Sequence, residues 1–224
     1  TTGSTNVAIG HDSLAQNTTA SANTAVGYSA LTANTTGTEN TALGYQALTT
    51  NVTGNYNTAL GIQAMRYNTA SNNTAVGTAA LYTNSSGAGN TAVGRSALKL
   101  TTTGANNVAM GYNALESNTT GASNVAVGGD SLQANTTGTS NAAVGRQALF
   151  TNTTGIDNTA LGQGSLYANT TASNNTSVGK NALTANTTGA SNTAVGMSSL
   201  KTNTTGAQNA AFGYEALYSN TSGN

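Results

Sequence analysis

The sequence predicts an all-β fold: a parallel β-solenoid or β-roll of thirteen 17-residue coils (one coil of 16) that assembles as a homotrimer or fibre. Three observations predict it. A Gly preceded by a small and then an apolar residue recurs at Gly10, Gly27, Gly44, Gly61, Gly77, Gly94, Gly111, Gly128, Gly145, Gly162, Gly179, Gly196 and Gly213, spaced by 17 residues except for 16 between Gly61 and Gly77. The unit is too short for a helix pair, and its Thr-Ala-Val segment alternates with the two-residue period of a strand. Finally, 43 Thr, 38 Ala, 32 Asn and 27 Gly make up 140 of the 224 residues, leaving only 32 Leu, Ile, Val and Phe. That is too little apolar volume for one large core but enough for a thin core repeated coil by coil. Stacking at about 4.8 Å would carry thirteen coils over on the order of 60 Å. Residues 1–224 read as a single repeat array, a window of a longer fibrous protein, because both ends fall in the turn phase without a polar cap.

The consensus is N-T-A-V-G-x-x-A-L-x-x-N-T-T-G-x-x, with positions counted here from the recurring Gly. Position −4 is always Asn: Asn6, Asn23, Asn40, Asn57, Asn73, Asn90, Asn107, Asn124, Asn141, Asn158, Asn175, Asn192 and Asn209. Stacked in register, these amides can bond from coil to coil as a structural ladder. Position −1 is always apolar, from Ile9 and Val26 to Phe212, and position +4 is Leu, or Met65 in one coil. These two columns are expected to fill the interior, on a first strand (Thr-Ala-Val) and a second short strand (x-x-Ala-Leu). Asn-Thr-Thr-Gly is turn chemistry. The short repeat has lost its residue there, between Arg66 and Ser71, where a turn tolerates deletion. Position −2 is Ala, or Ser177, and position +3 is Ala, or Ser in Ser13, Ser131, Ser165 and Ser199. On strands these small residues would face away from their apolar neighbours and admit another chain at close range. The alternative is a tight bend that only a small side chain fits.

Charged residues are 5% of the chain and balance to zero net charge, with six Lys and Arg and no Cys. No nucleic-acid partner, membrane insertion, disulfide scaffold or thiolate metal site is expected from such a chain. His11 has only Asp12 beside it, and the carboxylates Asp12, Glu39, Glu116, Asp130, Asp157 and Glu215 are scattered over different columns. No catalytic, cofactor-binding or metal-binding residue follows, no cofactor is expected, and the chain does not read as an enzyme. The N-x-Ser/Thr acceptor pattern recurs at position +7: Asn17, Asn34, Asn51, Asn84, Asn118, Asn135, Asn152, Asn169, Asn186, Asn203 and Asn220. On an exposed turn these would carry one N-linked glycan per coil along one edge; the alternative is a second asparagine ladder. The Thr column at −3 (Thr24, Thr41, Thr58, Thr74, Thr91) raises ice binding as a further alternative, although Val7, Val108, Val125, Ala142 and Ala210 interrupt it.

The runs Asn23-Thr24-Ala25-Val26-Gly27-Tyr28-Ser29-Ala30-Leu31 and Asn192-Thr193-Ala194-Val195-Gly196 resemble repeat arrays of bacterial and phage fibre proteins. They are similar, less closely, to the head repeats of trimeric autotransporter adhesins. The resemblance covers the whole chain and implies a parallel β-roll in an extracellular fibre, at a cell surface or on a virion. It implies self-association as a homotrimer or filament, with a host-surface glycan or receptor as partner.

Overall fold

The computed structural model describes residues 2–223, and every strand in it has three residues. It is all-β, with thirteen strands and no helix among the described residues, and each of its two units winds as a parallel β-solenoid. The chain divides into two compact units, Thr1–Asn107 and Val108–Asn224. The first contains β1 (Val7–Ile9), β2 (Thr24–Val26), β3 (Thr41–Leu43), β4 (Thr58–Leu60), β5 (Thr74–Val76) and β6 (Thr91–Val93). Each pairs in parallel with its sequence neighbour, each repeat position over the same position of the next coil. The second contains β7 (Val108–Met110), β8 (Val125–Val127), β9 (Ala142–Val144), β10 (Thr159–Leu161), β11 (Thr176–Val178), β12 (Thr193–Val195) and β13 (Ala210–Phe212). The same parallel register holds throughout it. The 16-residue repeat does not disturb the ladder, since Thr58 still sits over Thr74 and Leu60 over Val76. Its deletion is absorbed in the turn at Asn68–Ser71.

Two expectations are corrected. The second strand does not form. The residues at +2 and +4 take left-handed backbone conformations, as at Gln46 (φ 54°) and Leu48 (φ 52°), which an extended strand cannot contain. Turn bonds close around them instead, from Ala47 N to Gly44 O at 3.3 Å and from Asn51 N to Leu48 O at 3.4 Å. Coils still bond each other through this arc, as Leu48 N donates to Ala64 O at 2.9 Å. Each coil therefore has one strand, and the rest is a chain of corners.

The second correction concerns which side of the strand faces in. Position −2, read as an outward contact surface, is the interior: Ala25, Ala42, Ala126, Ala143 and Ser177 are each 0% exposed within the single chain. Position −1, read as core, points outward, with Leu43 48%, Leu161 47% and Phe212 69% exposed. The coil is too narrow to hold Val or Leu opposite Leu at +4, and only Ala or Ser fits between them. Position +3 is buried as well, so Ala47 and Leu48 are consecutive and both inside. A regular strand sends successive side chains to opposite faces. The left-handed turn at Leu48 removes that alternation. The small-residue columns thus line the narrow interior, −2 from the strand and +3 from the bend, and no longer argue for a neighbouring chain.

Candidate functional site

The arrangement with the most chemistry in this fold is a pair of asparagine columns inside each unit. The −4 column hangs on the residue entering each strand, and the +7 column on the residue closing the second turn. In an interior coil, Asn40 Oδ1 accepts the backbone N–H of Asn57 at 3.0 Å, while Asn40 Nδ2 donates to Gly54 O at 2.8 Å. The +7 residue of the same coil as Gly54 converges on that carbonyl, with Asn51 Nδ2 donating to Gly54 O at 2.9 Å. One carbonyl is thus held by two amides from two columns. The pattern repeats in the second unit, where Asn124 and Asn135 both donate to Gly138 O, at 2.8 and 3.0 Å. Both columns exist because the bends leave backbone groups with no β partner, and a buried carbonyl without a donor is costly. Asn supplies donor and acceptor on one short side chain.

The +7 amides also bond one another. Asn135, Asn152, Asn169, Asn186 and Asn203 each donate to the preceding Oδ1 over 2.8 to 3.2 Å. The ladder is interrupted at three places, two of them sequence departures. Beside the shortened turn, Asn68 Nδ2 keeps its bond to the turn carbonyl, Ala70 O at 2.9 Å, but does not bond Asn51 Oδ1, which is buried without a partner. Where Thr101 replaces Asn, its buried Oγ1 is unpartnered as well. Asn17 Oδ1, in the first coil, is the third such atom.

This geometry corrects the exposure assumed for the N-x-Ser/Thr residues. Asn34, Asn51, Asn84, Asn118, Asn135, Asn152, Asn169, Asn186 and Asn203 are each 0% exposed, and Asn17 and Asn220 are half-buried. The amide nitrogen that a sugar would occupy points into the coil and is already bonded. The exposed asparagine edge is not formed.

No family model, curated protein or solved structure matches the chain. The candidate site therefore rests on geometry alone.

Outside the coils, the +1 column stacks His11 on Tyr28 and Tyr28 on Tyr45, with ring centroids 5.3 and 5.4 Å apart. In the +5 column Phe150 stacks on Tyr167 at 5.1 Å, and Lys201 Nζ lies 5.4 Å from the Tyr218 ring. These rings spend their faces on each other, which is inter-coil packing. His11 Nδ1 lies 3.0 Å from Asp12 Oδ2 on an exposed surface. The Tyr214 phenol is raised above its ordinary value, mainly because it is hydrogen-bonded to Glu215 and lies near that carboxylate's charge. Among the described residues no cavity opens, no group of three or more His, Cys, Asp or Glu is placed to hold a metal, and no helix is long and apolar enough to cross a membrane.

One surface was not legible as such in the sequence: the outward apolar column at −1, flanked by Thr at −3 on the same face. A signal for it was present. Ile9, Val26, Leu43, Met110 and Phe212 differ too much in volume to share one tight interior column.

Proposed function

We propose that the chain is a structural, non-enzymatic extracellular fibre segment: the rigid shaft or adhesin-type head of a phage tail fibre or cell-surface filament. The observation that carries this reading is the doubled asparagine ladder. Coil is tied to coil by side-chain amides as well as by backbone bonds, so each unit resists deformation by many parallel interactions. Such a fold invests its polar chemistry in cohesion, and its exposed column at +1 and half-buried column at +5 are free to vary toward a host-surface glycan or receptor. Self-association, as a homotrimer or filament, is supported by the outward −1 column, where thirteen successive coils place an apolar side chain. Immunogold labelling with an antibody against the chain is the test. Filaments labelled on intact cells or virions are the expected result; label confined to the interior of permeabilised cells overturns it.

The alternative of ice binding gains one observation. The −3 hydroxyls stand outward beside the −1 methyl groups, uninterrupted from Thr24 through Thr41, Thr58 and Thr74 to Thr91 in the first unit. Thermal hysteresis in a solution of the purified chain would favour this reading over the shaft, and its absence rejects it.

A further inference from the structure

The Asn-Thr-Thr-Gly turn contains a second hydroxyl, at +9, whose properties differ from every other column. It runs from Thr19, Thr36 and Thr53 to Thr188, Thr205 and Ser222, and is absent only from the shortened turn. Every member is exposed, and none of these hydroxyls has a hydrogen-bond partner. The preceding column, at +8, is the structural one: Thr136 Oγ1 donates to Thr153 O at 3.1 Å, and Thr153 Oγ1 to Thr170 O at 3.0 Å. Yet the bonded column admits Val52, whereas the unbonded one holds Thr or Ser in all twelve coils that possess it. Outside the strand the other exposed columns drift freely, as +1 does through His11, Ile62, Arg95 and Met197. The thirteen repeats thus act as internal replicates. Packing and hydrogen bonding impose nothing at +9, but the hydroxyl is kept.

We propose that the +9 hydroxyls are acceptor sites for O-linked neutral sugars. The same motif read as an N-linked signal buries its Asn and presents its Thr, so the turn offers a transferase the oxygen and withholds the nitrogen. The donor is a nucleotide-activated hexose. Oγ bonds to the anomeric carbon, the bond from that carbon to the phosphate oxygen breaks, and its electron pair leaves with the nucleoside diphosphate. The hydroxyl proton passes to a base of the transferase. A neutral group fits better than phosphate. Neighbouring acceptors lie about one strand spacing, ~4.8 Å, apart, where like charges repel. No Lys or Arg occurs between +6 and +11 in any coil to offset them.

The test is the intact mass and site-resolving fragmentation of the protein isolated from the cells that make it. The expected result is a mass excess of whole hexose-type residues, confined to +9 and released by base-catalysed β-elimination. A double variant, Thr137→Val with Thr154→Val, should fold with an unchanged melting curve and lose the sugars at those two turns only. A mass equal to the bare chain, sugar on the +7 Asn or the +8 hydroxyl, or phosphate at +9 overturns the proposal. The result does not depend on the fibre reading: sugar at +9 on a protein that immunogold finds inside cells would reject the fibre and leave this inference standing.

Discussion

Replacing Asn158 with Ala should lower stability by about 3–5 kcal/mol, a large loss for an exchange that removes no apolar surface from the core. Asn158 Oδ1 accepts from both the backbone N–H and the Nδ2 of Asn175, at 3.0 and 3.2 Å. Its own Nδ2 reaches Ala172 O at 2.9 Å and Asn141 Oδ1 at 3.1 Å. After truncation the two Asn175 donors are buried with no acceptor, at roughly 1–3 kcal/mol each, and a small void adds to the loss. Ala172 O keeps the Asn169 amide at 3.0 Å, so that end is softened. Asn158→Leu restores volume but leaves the same donors orphaned, and should fare no better. Urea unfolding measures the total. Amide exchange locates it, and in a stacked fold the protection lost should concentrate in the adjacent coils. A loss under about 1 kcal/mol would mean that the ladder is decoration on a fold held by its backbone.

A Cβ at the recurring Gly should be at least as damaging. Gly145 sits at φ +131°, and an added Cβ would stand 2.7 Å from the carbonyl carbon of Gly162 and 3.0 Å from Gln163 N, both in the next coil. Neither neighbour is a flexible side chain. The coils would have to part, stretching the bond from Gly162 N to Val144 O, now 2.8 Å. Strain and the lost bond together put Gly145→Ala at about 4 kcal/mol or more. Gly129→Ala is the control, since its Cβ would meet nothing within 4 Å, and it should stay within about 0.5 kcal/mol of the parent. Thermal melts of the two variants separate a steric requirement from the general preference of loops for Gly. Equal melting temperatures would refute the close approach.

The sequence carried the period, the turn and the two asparagine columns, because each follows from spacing and from what one residue type can do. The orientation of the strand did not follow. Hydrophobicity alone puts Val144 inside and Ala143 out, yet the cross-section of so narrow a coil reverses them. The second strand was misread for a related reason. Leu149 lies at φ 52°, a conformation Leu rarely takes unaided, held here by complete burial of its side chain. No propensity scale signals a left-handed Leu; only the closed coil requires it. The burial of the N-x-Ser/Thr asparagines was hidden likewise, since Asn and Thr in a turn look exposed until the turn's carbonyl is seen pointing inward.

The repeat that is one residue short has a meaning for the gene. It loses its residue in the turn and keeps Thr58 over Thr74, so an error in that arc is forgiven while strand phase survives. Elsewhere, Thr101 in the +7 column and Val52 in the +8 column apart, each coil presents its successor with the same ladder of donors and acceptors. A recombination that adds or removes 17 residues in frame, between any two repeats at matching phase, therefore joins surfaces that already fit. Copy number becomes an inheritable dial, turned by whole coils without any new packing having to be invented.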